Sequence, residues 1–300
     1  MTVAETIKKI TREHLTKNGG LLLGQCLTAV GWVGGTVPEM TEEEGIVELS
    51  MADVAGGAIA VGVALAGRRP IYVVRYQGFQ WYNAPTILNY AAKSKEMWNI
   101  SCPLFIRSIA MDGSMGPVAS GSHHGIYFRM PGIVICAPMT PLEYQSVWDY
   151  FMTHDDPIYV SEHRKSFAID YEMPDIVHEK ADVTIFPISI TRLSAIEAAK
   201  ILEKEGIICN VVHLLRLKPF IVNEKIVDFL SNSKFGLVLD GDFENGVAKN
   251  LAYEIMHRTG KKVFALGLED KTAGFAPHLD NVPPTPEKIC DHVKNILTQF

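Results

Sequence analysis

The 300-residue sequence contains no C-x-x-C pair. Its five cysteines, Cys26, Cys102, Cys136, Cys209 and Cys290, stand far apart, and their number is odd. That spacing argues against a zinc site or a disulfide framework and for reduced thiols. A basic patch is also missing. Lys and Arg total 28 against 34 Asp and Glu, a net charge of −6, and only "EHRK" at 162–165 gathers cations. Phosphate-backbone binding needs a concentrated Lys/Arg footprint, so nucleic acid is excluded as a main partner. Long apolar runs are lacking too. The longest, around residues 54–67, is rich in glycine and shorter than the ~20 residues of a membrane span. The first twenty residues have no apolar core of the signal-peptide kind and read as an amphipathic helix. The expectation is a soluble, cytoplasmic protein. No G-x-G-x-x-G follows a first strand, which leaves a nucleotide-binding reading with little support.

What is present is alternation. "GLLLGQCL", "GIVEL", "PIYVVRY", "CPLFIRSIA", "GIVICAP" and "PIYVSEH" are short apolar runs bounded by Gly, Pro or polar residues. Helical stretches lie between them, at 53–67, roughly 80–97 and 141–153. The last has Thr140 as an N-cap and Pro141 at the first helical position. Strands alternating with helices predict an α/β fold, a mostly parallel sheet covered on both faces. A polar stretch without clear period, 166–182, precedes a second, smaller alternating unit. Its helices are expected at 192–205, 223–231, 246–258 and 285–298. Length alone also suggests about two domains.

One residue stands out. In "VELSMADVAGGAIAVGVALAGRRPIYVV", 47–74, the carboxylate of Asp53 opens a greasy, glycine-rich helix. Asp is a good N-cap, and an N-cap is sufficient reason for it taken alone.

The same stretch resembles a segment of the β subunits of thiamine-diphosphate-dependent 2-oxo acid dehydrogenases, of transketolase and of deoxyxylulose-phosphate synthase. "YQGFQWYNAPTILNYAAK" and "MPGIVICAPMTPLEYQSVWDYFMTHDDPIYVSEHRKSF" agree with that family in order and spacing, and the resemblance covers nearly the whole chain. It implies two doubly wound domains: a transketolase-type pyrimidine-binding domain over 1–170, a linker over 171–182, and a smaller C-terminal domain over 183–300. It implies thiamine diphosphate as cofactor. It also implies that Asp53 is the carboxyl group that activates the cofactor's aminopyrimidine ring, where relatives carry glutamate. Losing one methylene draws the carboxylate back by roughly one C–C bond, ~1.5 Å. Proton transfer works at about 2.6–3.2 Å. The small residues Ala55, Gly56, Gly57 and Ala58 offer the closer approach that Asp then requires.

The resemblance assigns Phe79 as the aromatic against the aminopyrimidine, with Tyr76 and, more weakly, Trp81 beside it. Gln25 stands where relatives are acidic, and it can donate a hydrogen bond near the site without carrying charge. In the Gly/Ser-rich loop "AMDGSMGPVASGSHHGIYFRMPG", His123 and His124 are the candidates for general acid/base work on the reacting carbonyl, against a plain reading as surface histidines. Glu162 and His163 are expected to be structural, at a domain or subunit contact.

The family's diphosphate and Mg²⁺ motif, G-D-G followed by N-N, has no counterpart. "LDGDFENG" at 239–246 reads D-G-D and as a turn into a helix. The implied partner is therefore an α-type subunit holding the diphosphate and Mg²⁺, in an α2β2-like assembly. The implied activity is C–C bond cleavage or formation next to a carbonyl, most like the decarboxylating dehydrogenase component. A split transketolase or carboligase subunit is the alternative that Gln25, Asp53 and the short histidine loop favour. A catalytically weak structural or regulatory subunit is the alternative that the Glu-to-Asp change favours.

Overall fold

The computed structural model describes residues 1–29, 31–113 and 115–300. They form two compact units, one of residues Met1–Met111 and Ile126–Glu172, the other of Asp112–Gly125 and Met173–Phe300.

The first unit is built on six parallel strands: β1 (Leu21–Gly24), β2 (Ile46–Glu48), β3 (Pro70–Val74), β4 (Phe105–Ala110), β5 (Val134–Cys136) and β6 (Ile158–His163). They lie in the order β2-β1-β3-β4-β6-β5. β3, β4, β5 and β6 are buried along their whole length, as strands covered on both faces must be. The N-terminal helix Val3–Lys17 begins with a reciprocal capping box between Thr2 and Glu5. Thr140 caps the helix Pro141–Thr153, with proline in its first turn, as its sequence predicts.

One expectation is corrected. The helix foreseen over 80–97 is divided into Gln80–Asn89, a tight turn at Ala91–Lys93, and Ser94–Trp98. Pro85, inside the first piece, has no N–H for the helix ladder. Glu162 is buried and structural. Its carboxylate takes Arg107 Nε at 2.7 Å and Nη2 at 2.9 Å, and the Tyr144 hydroxyl at 2.6 Å. Thr36 Oγ1 accepts a further bond from Arg107 at 2.9 Å. Two charges this deep hold only because each is partnered.

The second unit has strands β7 (Val183–Pro187), β8 (Cys209–Val211), β9 (Arg216–Lys218), β10 (Phe235–Phe243) and β11 (Val263–Leu268). Four of them form a parallel sheet in the order β11-β10-β7-β8. Its helices, Thr191–Lys204, Glu224–Ser231, Val247–Thr259 and Pro286–Leu297, fall within a residue of expectation at each end. Cys209 and Cys290 belong to the core between sheet and helices. Both units are doubly wound, mostly parallel α/β layers.

Candidate functional site

The strand order of the first unit creates one place where successive connections diverge. From β1 the chain crosses to β2 on one side, and β3 returns on the other side of β1. In such sheets, ligands bind outside the carboxyl ends of the strands at that point. A pocket lies there, lined by Gln25 and Cys26 after β1, Met51 and Asp53 after β2, and Tyr72 to Arg75 with Phe79 at the end of β3.

Each lining group is placed by local chemistry. Gly24 pairs with Val73 across the sheet, and a Cβ there would meet the Val73 carbonyl at 3.0 Å, so the turn after β1 passes close to β3. The Glu48 carboxylate accepts the backbone N–H groups of Leu27 at 2.9 Å and Thr28 at 3.2 Å, fastening that turn. Cys26 takes a left-handed conformation, φ 51°.

Asp53 occupies the first position of the helix Asp53–Leu65, and the N-cap is Ala52, which makes no side-chain cap bond. The simple capping account of Asp53 is thus corrected. Its carboxylate accepts a hydrogen bond from Gln25 Nε2 at 3.3 Å. Partial burial raises its pKa, while its own backbone N–H and Gln25 act in the opposite direction. No cation is among the groups that set its charge. The Tyr72 hydroxyl is buried beneath the first turn of the helix, where a Cβ on Gly56 would approach it to 2.8 Å. Burial and then the Asp53 charge push the Tyr72 pKa upward. Gly57 packs on Asn83 of the next helix, with 2.7 Å from its ideal Cβ to the Asn83 Cβ. Asn83 Oδ1 accepts the Tyr127 hydroxyl at 3.3 Å, and its Nδ2 is a buried donor without a partner among the described residues.

Gln25, Asp53 and Phe79 therefore come together as the sequence suggests. The Tyr76 ring flanks Phe79, centroids 6.0 Å apart. Trp81 is exposed and does not line the pocket. Tyr72, Arg75, Met51 and Cys26 also line it, although nothing in the sequence marks them as site residues. Tyr72 and Arg75 lie in "PIYVVRY", whose apolar pattern reads as strand and hides which ends face a ligand.

His123 and His124 belong to the second unit. His124 is fully buried, its Nε2 2.9 Å from Asp240 Oδ2 and 3.8 Å from Asp242 Oδ2. Asp240 and Asp242 are two apart on β10, across a register irregularity between Leu239 and Phe243, and both reach the same imidazole. Burial opposes charge on His124, but Asp240 and then Asp242 outweigh it and raise its pKa to about 9. His123 is pushed down by burial and lies 3.2 Å from the Ser120 carbonyl. Gly125 N–H donates to Asp242 at 2.8 Å. Among the described residues, no group of three or more His, Cys, Asp or Glu is placed to hold a metal ion. Among them, too, no helix is long and apolar enough to cross a membrane.

Residues 25–168 match the family described as Transketolase, pyrimidine binding domain. The chain is 26% identical to the 2-oxoisovalerate dehydrogenase subunit beta of Bacillus subtilis, over 82% of this chain and 81% of that one. It is 22% identical to the pyruvate dehydrogenase E1 component subunit beta of Rickettsia felis, over 99% and 98%. Among solved structures, a split gene transketolase described as an inactive beta4 tetramer superimposes with a TM-score of 0.74 at 18% identity, covering 99% of this chain and 98% of that one. The transketolase of Campylobacter jejuni superimposes with a TM-score of 0.75 at 17% identity, covering 98% of this chain but 46% of that one. These structural likenesses show the fold. The chain is thus similar to the β subunits of 2-oxo acid dehydrogenases, and its residues 25–168 match the transketolase pyrimidine-binding domain.

Proposed function

We infer that this chain is the β-type subunit of a two-chain thiamine-diphosphate enzyme of the 2-oxo acid dehydrogenase kind, the decarboxylating component. The observation that carries the reading is Asp53, held by Gln25 in a pocket at the divergence point of a pyrimidine-binding-type domain. The donor set fits the aminopyrimidine: a carboxyl group raised in pKa, an amide beside it and an aromatic wall from Phe79, which Tyr76 flanks from outside the lining. Thiamine diphosphate supplies, when bound, a nucleophilic carbon for attack on carbonyls. Asp53 holds a proton at its carboxyl oxygen for exchange with a ring nitrogen. Burial makes that proton easier to retain, and Gln25 fixes the carboxyl's orientation. Phe79, flanked by Tyr76, keeps water from the ring face. His123 and His124 are proposed for the acid/base work at the reacting carbonyl, with the second unit's aspartates governing His124.

The diphosphate and Mg²⁺ are assigned to an α-type partner, and the complex to an α2β2-like form. The relatives named as beta subunits support a partner of α type. Val54, Trp81 and Tyr82, at 60%, 62% and 60% exposure, give the first unit an apolar surface of the kind a partner covers. The domain division at 170 and 182 and a cytoplasmic location belong to the same reading. A split transketolase subunit is the second reading, favoured by the end-to-end match to the split gene transketolase.

The test is calorimetry and C2 hydrogen–deuterium exchange. The isolated chain should bind thiamine diphosphate with Mg²⁺ weakly, and the complex with its α-type partner should bind it tightly and exchange C2. Tight binding by the isolated chain would refute the divided site.

A further inference from the structure

The pocket carries a cation that the activation of a pyrimidine ring does not use. Arg75 follows the last residue of β3 and lines the same pocket as Asp53. Its guanidinium lies over the Tyr76 ring, with Cζ 5.0 Å from the centroid, and Tyr76 in turn flanks Phe79. This cation–ring contact holds the group and leaves its N–H donors free at the edge. Among the described residues, Arg75 has no hydrogen-bond or ion-pair partner. It does not serve Asp53 either, since only the Asp53 backbone N–H and Gln25 lower that carboxyl's pKa. The pocket is thus acidic at one wall and cationic at another, in a chain of net charge −6.

We propose that Arg75 is the specificity residue that receives an oxyanion group of the substrate, a carboxylate or a phosphate, beside the reacting carbonyl. The proposal rests on the cofactor reading above. A fork of donors pre-oriented on Tyr76 suits either planar carboxylate or phosphate oxygens, and half-burial strengthens the contact relative to open water. Tyr76 then has two tasks, flanking Phe79 and aiming the guanidinium.

The experiment uses the complex with its α-type partner and three donors: pyruvate, fructose 6-phosphate and uncharged acetoin. In Arg75→Gln, the ratio of kcat/KM for the preferred anionic donor to that for acetoin should fall about 10–100-fold, the loss expected for one charge-assisted hydrogen-bonded contact. The fall should lie mainly in KM, and Arg75→Lys should retain part of the ratio. Pyruvate responding identifies a carboxylate, and fructose 6-phosphate a phosphate. Equal losses for all three donors, no loss, or a complex that falls apart in Arg75→Gln would overturn the proposal. C2 exchange measured alongside separates the two claims. If the wild-type complex shows no exchange, the cofactor reading fails, and calorimetry with pyruvate and with inorganic phosphate decides Arg75. Equal affinity of wild type and Arg75→Gln for both probes would then overturn it.

Discussion

Gln25 and Asp53 lie 28 positions apart in the chain and meet at 3.3 Å, amide to carboxylate. The turn after β1 carries the first and the connection after β2 carries the second, so the parallel β1–β2 pairing brings them together. Gln25 stabilises the ionised form of Asp53 against the burial that disfavours it. Gln25→Leu should therefore raise the Asp53 pKa further. Because the protonated carboxyl is the working form, the alkaline limb of the C2 exchange profile should move to higher pH in the reconstituted complex. An unmoved limb would show that the contact does not govern the carboxyl.

Asp53→Asn keeps the size of the side chain and the helix start, which Ala52 forms without a side-chain bond. Stability should change little. C2 exchange should fall by about 10²–10⁴-fold, the usual scale of an acid/base contribution. Asp53→Glu should also slow exchange, because an extra ~1.5 Å of side chain enters a pocket where the shorter one already reaches Gln25. Wild-type exchange in Asp53→Asn would remove Asp53 from the mechanism.

Two glycines of one helix should respond in opposite directions. A Cβ on Gly57 would lie 2.7 Å from the Asn83 Cβ and 3.1 Å from its carbonyl oxygen, neither of which can swing away. Gly57→Ala should destabilise by about 1–3 kcal/mol, the cost of overpacking. A Cβ on Gly62 would meet nothing within 4 Å. Gly62→Ala should stabilise the isolated chain by about 1 kcal/mol through helix propensity. Gly62→Trp, if a partner covers this face, should weaken assembly in sedimentation while leaving the isolated chain folded.

Stability should peak near neutral pH. Burial lowers the His14 pKa from 6.5 against the raising effect of its contact with the Arg69 carbonyl, so His14 is held neutral, edge-on to Trp148. Its contribution is present above 6.5 and is lost as pH falls below that value. His124 is the reverse case. Its pKa rises to about 9, so its contribution is complete below 6.5 and is lost as pH rises through about 9. Denaturant midpoints across pH should trace a dome. His14→Gln should flatten the acid limb, and His124→Gln the alkaline one.

Glu162→Gln should cost roughly 3–5 kcal/mol in denaturant unfolding, because Arg107 would keep its buried charge with no carboxylate to balance it. Arg107 and Glu162 pair across the neighbouring strands β4 and β6.

The local signals were legible because they are short-range. Thr140 and Pro141 mark a helix start with their own atoms, and the apolar runs of β3 to β6 show strands buried on both faces. The carboxylate at the mouth of the Asp53–Leu65 helix was visible for the same reason. What the pattern could not show was which residues face each other across strands. Glu162 reads as structural from the sequence, and the pairing of β4 with β6 shows its partner, Arg107. His123 and His124 read as a loop pair of equal standing. Only the approach of that loop to β10 separates them, since Asp240 and Asp242 draw a proton to one, while burial keeps the other neutral. Arg75 read as the polar end of a strand. The order β2-β1-β3 turns that end toward Gln25 and Asp53, because strand order is set by pairing and crossover handedness over tens of residues rather than by any neighbouring side chain.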